Sequence, residues 1–330
     1  MPTMSDFHSA ADRVRNWGRW GDEDEIGTLN FIDEEKMREA GALVKKGAVF
    51  SLGLDFGSGG PQGDFLFRNN PIHVMTVDGG DAEHFVQHSK DWTANPTAHQ
   101  ISQFFADNPF RFNDDMIIMP LQAATQWDAL SHTYYDGKLY NGFPASAVTS
   151  QGATRCGIDK VIDKGIATRG VLLDVVAHRG DEVCLDPAVV ITPEELDEVA
   201  DRQGVAVGRG DIVVVRTGWC ENWRRTGERG AMATTGLSWT CAEWLHEREV
   251  AAVAADNLTV EVQQSEIDGV FLPFHLLCER DMGMMLGEYW DVTALAADCA
   301  QDGVYEFQLI APPLSVVGAV GSPVNPIAIK

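Results

Sequence analysis

The densest group of chemically competent side chains lies in Leu121-Gln122-Ala123-Ala124-Thr125-Gln126-Trp127-Asp128-Ala129-Leu130-Ser131-His132. Gln122, Gln126, Asp128 and His132 stand four, two and four positions apart. They follow Met116–Met119, which reads as a strand. On a backbone that is extended and then turns, several of them can converge on one cavity. Asp128 could ligate a cation or orient a base, and His132 could take and give protons near neutral pH. The same residues also suit a capped turn, with Asp128 holding local amides and His132 satisfied in a half-buried corner.

Competing chemistries find less support. There is no G-x-S-x-G elbow, and Ser131 precedes His132 directly, so on an extended chain the two point to opposite faces. The cysteines at 156, 184, 220, 241, 278 and 299 form no C-x-x-C pair and sit in apolar contexts, which suits buried structural thiols. His246-Glu247 begins like a zincin helix, but Val250 stands where the second histidine is needed. Gly57–Gly63 (GSGGPQG) reads as a flexible loop and not as a phosphate cradle, since Gln62 takes the last glycine position and no helix follows. His178 and His246 read as structural, whereas His73 and His84 fall in a loop-rich region from which either could reach a cavity. Phe104, Phe105, Phe110, Phe112, Trp127, Tyr134 and Tyr135 crowd the segment, as core or as an apolar pocket for a flat or cyclic substrate. Trp127, Tyr135, His73 and Phe112 are the candidate substrate contacts.

These side chains need a scaffold. Gly170–Val176 and Asp211–Thr217 are continuous β-branched runs, the pattern of strands covered on both faces; Ala251–Asp256 reads as another buried strand and Tyr305–Ile310 as a strand. Thr192-Pro193-Glu194-Glu195 carries an N-cap, a proline at the first helical position and a glutamate at capping-box spacing. Residues 8–45 read as helical around a turn, Ala48–Asp55 as a strand, Thr97–Phe105 and Asp291–Cys299 as helices, and Pro312 onward as an extended tail. Helices alternating with buried strands predict an α/β fold, one mixed domain over residues 1–330 with a largely buried sheet. Residues 1–115 supply N-terminal helices and a loop-rich excursion of the kind that often covers a functional site.

The chain has 330 residues, 45% hydrophobic, with a formal net charge of −24. That charge repels phosphate backbones and anionic lipid, so nucleic acid and membrane are not expected partners. No apolar leader segment opens the sequence and no apolar run approaches membrane-spanning length, so a reduced, cytoplasmic protein is expected.

The 122–132 segment resembles the signature H-x-G-T-H-x-D-x-x-x-H of the cyclase family, which includes bacterial kynurenine formamidase and isatin hydrolase. Further blocks match in order: Trp20–Asn30 (WGDEDEIGTLN), Asp136–Gly142 (DGKLYNG), Gly210-Asp211 through Arg216-Thr217-Gly218-Trp219, and Gly321–Pro326 (GSPVNP). The resemblance implies a swivelling β/β/α architecture, a homodimer or homotetramer, and hydrolysis of an amide or lactone bond in a small cyclic or aryl-formamide-type substrate. It also implies a divalent manganese or zinc ion, held by Asp128 with His275 and Glu288 from a distant segment, and His132 as the acid/base. Gln122 and Gln126 replace the two signature histidines and Ala124 replaces the glycine. An amide oxygen is a weaker, neutral ligand than imidazole, so the exchange favours a hard ion over zinc, or no ion at all. Two alternatives stay open: metal-independent cyclase, lactonase or dehydratase chemistry by His132 and Asp128, and a non-catalytic small-molecule-binding homologue.

Overall fold

The β-branched runs form the centre of a nine-stranded mixed sheet. The computed structural model describes residues 2–63, 68–88, 96–187, 189–228 and 234–330. In chain order the labelled strands are β1 (Val49–Ser51), β2 (Ile72–Val77), β3 (Asp114–Ile118), β4 (Gln126–Asp128), β5 (Ala167–Asp174), β6 (Ile212–Arg216), β7 (Ala252–Ala255), β8 (Met285–Glu288), β9 (Glu306–Ile310), β10 (Gly321–Pro323) and β11 (Ile327–Ile329). The large sheet runs β1-β11-β9-β5-β6-β7-β8-β4-β10, with β5 to β8 parallel and the outer pairs antiparallel.

Both faces of the parallel centre are covered, which explains the absence of a polar period along β5 to β7. Side chains alternate between two cores. Val171, Leu173, Val213, Val215, Val253 and Ala255 face one core, with Phe7, Leu196, Trp244 and Phe274 from helices Met4–Val14, Pro193–Gln203, Cys241–Glu247 and Pro273–His275. Leu172, Ile212, Val214, Ala252 and Ala254 face the other, with Trp127, Trp290, Leu295 and Phe307.

Three sequence expectations change. The tail after Pro312 is not a tail: β10 and β11 insert into the sheet, β10 beside β4 and β11 between β1 and β9. Two apolar residues there, Val324 and Ala328, are buried in the second core, a pairing that a proline-rich stretch conceals because its partners are far off in sequence. The strand expected over 48–55 pairs only over Val49–Ser51. The loop-rich excursion holds an antiparallel hairpin, β2 with β3, and the helices Gly79–His88 and Pro96–Asp107. Along this arm large apolar side chains stay exposed, among them Ile72, Met116, Ile117, Phe104 and Phe110. Among the described residues, no helix is long and apolar enough to cross a membrane.

Candidate active site and metal centre

Strand β4 sets the site by its period of two. Gln126 and Asp128 point to one face and Trp127 to the other. Register does the rest: Glu288 of β8 stands directly across from Gln126, so the Gln126 Nε2 amide donates to Glu288 Oε2 and lies 3.4 Å from Asp128 Oδ2. The turn after β4 carries His132, whose Nε2 is 3.6 Å from Asp128 Oδ1. His132 keeps 23% of its side chain exposed while Asp128 has none, so His132 stands between the buried carboxylate and solvent.

The distant segment closes the site from the other side. Pro273–His275 opens a helical stretch that continues as a π-helix over Leu276–Met282, a geometry frequent at functional sites. It brings Glu279 beside His275, and donor atoms of Asp128, His275 and Glu279 all lie within 4.8 Å of one another. His275 Nε2 is 3.4 Å from Glu288 Oε1. Its Nδ1 meets Glu261 Oε1 at 2.5 Å, and Glu261 also accepts from the backbone amides of Phe274 and His275 at 3.0 and 2.8 Å. A carboxylate on Nδ1 fixes the tautomer and leaves Nε2 as the group facing the cluster.

Backbone strain accompanies two of these carboxylates. Val260, next to Glu261, has φ 57° and Tyr289, next to Glu288, has φ 58°. A β-branched residue in the left-handed region persists only where its surroundings over-determine it. Here the Val260 amide donates to Asn257 Oδ1 at 2.7 Å and its carbonyl accepts from Leu237 N at 3.0 Å. Gly236 packs against this turn so tightly that a Cβ would fall 2.3 Å from the Glu261 carbonyl carbon.

The electrostatics follow from burial. Asp128, Glu261, Glu279 and Glu288 are all at most 3% exposed. Burial raises the carboxyl of Asp128 to about 7; His132 opposes this and the charge of Glu288 adds to it. Burial likewise raises Glu279 to about 7, against the pull of His275 and two hydrogen bonds from Thr133. Burial alone would lower His275, but its bonds to Glu261 and Glu288 outweigh that and raise it well above the usual imidazole range. Two buried oxygens, Gln126 Oε1 and Glu279 Oε1, have no hydrogen-bond partner.

This donor set fits a divalent cation. Excess buried negative charge, two unsatisfied oxygens on residues of the cluster and one imidazole of fixed tautomer are what a hard ion with mostly oxygen ligands requires. Asp128, His275, Glu279 and Glu288 would hold it, with Gln126 Oε1 as a neutral donor.

Of the residues expected from sequence, Asp128, His132, His275, Glu288 and Gln126 come together. Gln122 lies alongside: its amide nitrogen packs on Gly321, opposite Asp128 in β10, where a Cβ would come within 2.6 Å, and it makes no hydrogen bond to the carboxylates. Of the four expected substrate contacts, Trp127 is corrected and the other three have partners of their own. Trp127 faces away, fully buried against Trp290 with Nε1 donating to Ala311 O at 2.9 Å. Tyr135 donates its hydroxyl to Asp281 Oδ2 at 2.6 Å and stacks under Arg280. His73 pairs with Asp115 at 2.7 Å on the exposed arm, and Phe112, also on the arm, stacks with Phe110. Neither meets the cluster, because β2 and β3 pair with each other and not with the large sheet. The Phe105 side chain lies outside the described residues. Trp127 is therefore core: Trp127→Ala is expected to cost about 3–5 kcal/mol in urea unfolding, and unchanged stability would contradict this placement.

Glu261, Glu279 and Arg68 were not anticipated. Glu279 follows His275 at i+4 in PFHLLCE, a one-face spacing on a helix that is legible once His275 is suspected. Arg68, whose Nη1 is 3.5 Å from Glu288 Oε2, comes from the excursion and carries no local signal. The six cysteines are free thiols, five of them buried. A cleft of about 490 Å3, lined by Leu54, Asp55, Gly57, Gly60, Trp223 and Arg224, opens at the glycine-rich loop, and Gln62 of that loop donates to Ala123 O at 3.0 Å just before β4.

This mixed, double-covered sheet, with the buried acidic cluster on β4, β8 and the helical stretch Pro273–Met282, is that of a cyclase-type α/β protein. A family model described as putative cyclase matches residues 66–262. The chain belongs to that family. A solved structure described as a novel cyclase is 40% identical, spans 96% of this chain and 100% of its own, and superposes with a TM-score of 0.82. Isatin hydrolase A from Ralstonia solanacearum is 17% identical over 86% of this chain and 92% of its own, TM-score 0.59. Isatin hydrolase A from Labrenzia aggregata, solved with benzyl benzoate, is 14% identical over 88% and 94%, TM-score 0.58. These two share the fold. No curated protein matches the sequence significantly.

Proposed function

We propose that the protein is a hydrolase acting on an amide or lactone bond of a small cyclic or aryl-formamide-type substrate, with His132 as acid/base. The observation that carries this reading is the convergence of His132 with the buried Asp128–His275–Glu279–Glu288 set. A divalent cation bound by that set would acidify water and withdraw charge from a substrate carbonyl; its mostly oxygen donors favour manganese over zinc. The residues do the rest. Asp128 and Glu288 orient what enters the cluster. His132 Nε2, at the solvent side of Asp128, takes the proton of the attacking water and returns it to the departing nitrogen or oxygen. Turnover of a panel of aryl formamides, cyclic amides and lactones, with and without added Mn2+, tests the reading; no turnover of any member under either condition would overturn it.

A second reading is favoured by the burial of Asp128 and Glu279 beside His132, which lifts both carboxyls to about 7 and suits metal-free acid–base catalysis. Turnover that survives EDTA yet is lost in His132→Ala would establish it in place of the first.

The indirect partner Glu261 carries its own expectation. Glu261→Gln keeps the shape but weakens the hold on His275 Nδ1, and Mn2+ affinity measured by calorimetry should fall about 10- to 100-fold. Unchanged affinity would show that Glu261 serves the turn alone.

We further propose that the arm joins two copies of this chain, as a homodimer or as half of a homotetramer. Ile72, Val74, Met75, Met116, Ile117, Ile118, Phe104, Phe110 and Phe112 are 37–53% exposed. Ile72, Val74, Met116 and Ile118 are cross-strand partners and share one face of the hairpin, an exposed apolar face of the kind that marks an interaction site. Size-exclusion chromatography with light scattering should give two or four times 36.1 kDa, reduced to the monomer by Met116→Asp with Ile118→Asp; a monomeric wild type would overturn the proposal.

A further inference from the structure

We infer that Arg68 is the anion-recognising residue of this site and restricts the substrate class to compounds bearing a carboxylate or comparable anion near the scissile carbonyl. The inference rests on the hydrolase reading above and deepens it.

Among the described residues, Arg68 is the one arginine or lysine ion-paired to the buried carboxylate cluster. Its position is built and not incidental. Two residues on, Asn70 buckles the glycine-rich loop: its Oδ1 accepts from Gln62 N at 2.8 Å, and its Nδ2 donates to Gln62 O at 2.7 Å and to Ser58 O at 3.2 Å. Gln62 in turn is buried and tied to Ala123 O. The loop end that carries Arg68 is therefore anchored to the chain entering β4.

The guanidinium is poorly committed where it stands. Its contact with Glu288 is a single approach at 3.5 Å, too long for a good hydrogen bond, and it makes no hydrogen bond among the described residues. A guanidinium presents five donors in a planar fork matched to a carboxylate. With 19% of its side chain exposed, Arg68 is open enough to reach a ligand and buried enough for the contact to count. A cation held at Glu288 would compete with Arg68 for that carboxylate, its ion-pair partner among the described residues, and would leave the fork for an incoming anion. A chain of net charge −24 repels anions in general, so a local cation at the mouth of the site is what admits one.

The test compares charge at constant shape. Calorimetric titration of the Mn2+-loaded protein with benzoate and with benzamide is expected to show benzoate bound about 10- to 100-fold more tightly, as for a charge-assisted hydrogen-bonded pair. Arg68→Gln should erase the preference and Arg68→Lys should keep part of it, with thermal melts confirming that both variants fold. No preference in the wild type, or a preference that persists in Arg68→Gln and so belongs to the cation, would overturn the inference. Hydrolysis of 2-formamidobenzoate, whose carboxylate lies beside the formamide, against formanilide separates this inference from the reading beneath it. A benzoate preference abolished by Arg68→Gln without hydrolysis of either compound leaves Arg68 as an anion site and removes the hydrolase. Hydrolysis of both at equal kcat/KM, or equal losses on both in Arg68→Gln, leaves the hydrolase and removes the anion specificity.

Discussion

His132→Ala is expected to lower kcat by about 10²- to 10⁴-fold with little change in KM, the range for loss of a positioned general acid/base. His132 is the group placed to do this. Its Nε2 lies 3.6 Å from Asp128, and it alone of the cluster's two histidines reaches solvent, since His275 is 2% exposed and held by Glu261. Because the side chain is at the mouth and not in a core, the variant should fold with a melting temperature near that of the wild type. The two readouts together are decisive: a variant that folds, binds Mn2+ and turns over at the wild-type rate would remove His132 from the chemistry.

Asp128→Asn should abolish tight cation binding and turnover, and at the same time stabilise the metal-free protein above pH 7. The sign follows from linkage. In the unfolded chain Asp128 and Glu279 ionise near 4, whereas in the fold they hold their protons to about 7. Between these values the folded state binds more protons, so the stability of the metal-free protein falls as pH rises from about 4 to about 7, and the raised His275 carries the fall further above that range. Each group contributes on the order of 2–4 kcal/mol to that fall, because a tenfold change in proton affinity is worth about 1.4 kcal/mol. Replacing Asp128 by asparagine removes one of the two contributions, so the slope of stability against pH should shrink. A cation competes with the same protons, so Mn2+ affinity should rise with pH up to about 7. Urea unfolding at pH 5 and 8, with and without Mn2+, measures all of this; metal-free stability that rises over that interval would contradict the raised carboxyls.

Much of the fold is legible in local patterns. The apolar runs at 170–176 and 211–217 announce strands buried on both sides, and Thr192-Pro193 announces its helix, because each signal lies within a few residues. Asp128 and His132 are visible through their spacing, and the resemblance to the cyclase family brings His275 and Glu288 to them. What stays hidden is set by pairing across long separations. β10 and β11 close the sheet against strands some 195 to 280 residues away. Glu261 meets His275 only because a strained turn aims it. Arg68 reaches Glu288 from the loop-rich excursion, whose composition suggests a cover over the site but singles out no residue in it. Trp127 is misplaced by sequence reading for a different reason: alternation along β4 already sets it opposite Gln126 and Asp128, and its aromatic character outweighed that period. His73 is a candidate because its loop-rich region could reach a cavity and Phe112 because aromatics crowd the 122–132 segment, whereas the structure puts His73 on the separate two-stranded hairpin and Phe112 just before β3.

The proposed chemistry requires the buried carboxylates, His275 and Gln126 to form one cation site under His132. Calorimetric titration of chelator-stripped protein with Mn2+ measures whether they do. One tight site per chain, proton release on binding at pH 7, and loss of the binding heat in Asp128→Asn are expected; protein that takes up no Mn2+, or takes it up equally well without Asp128, would rule the site out.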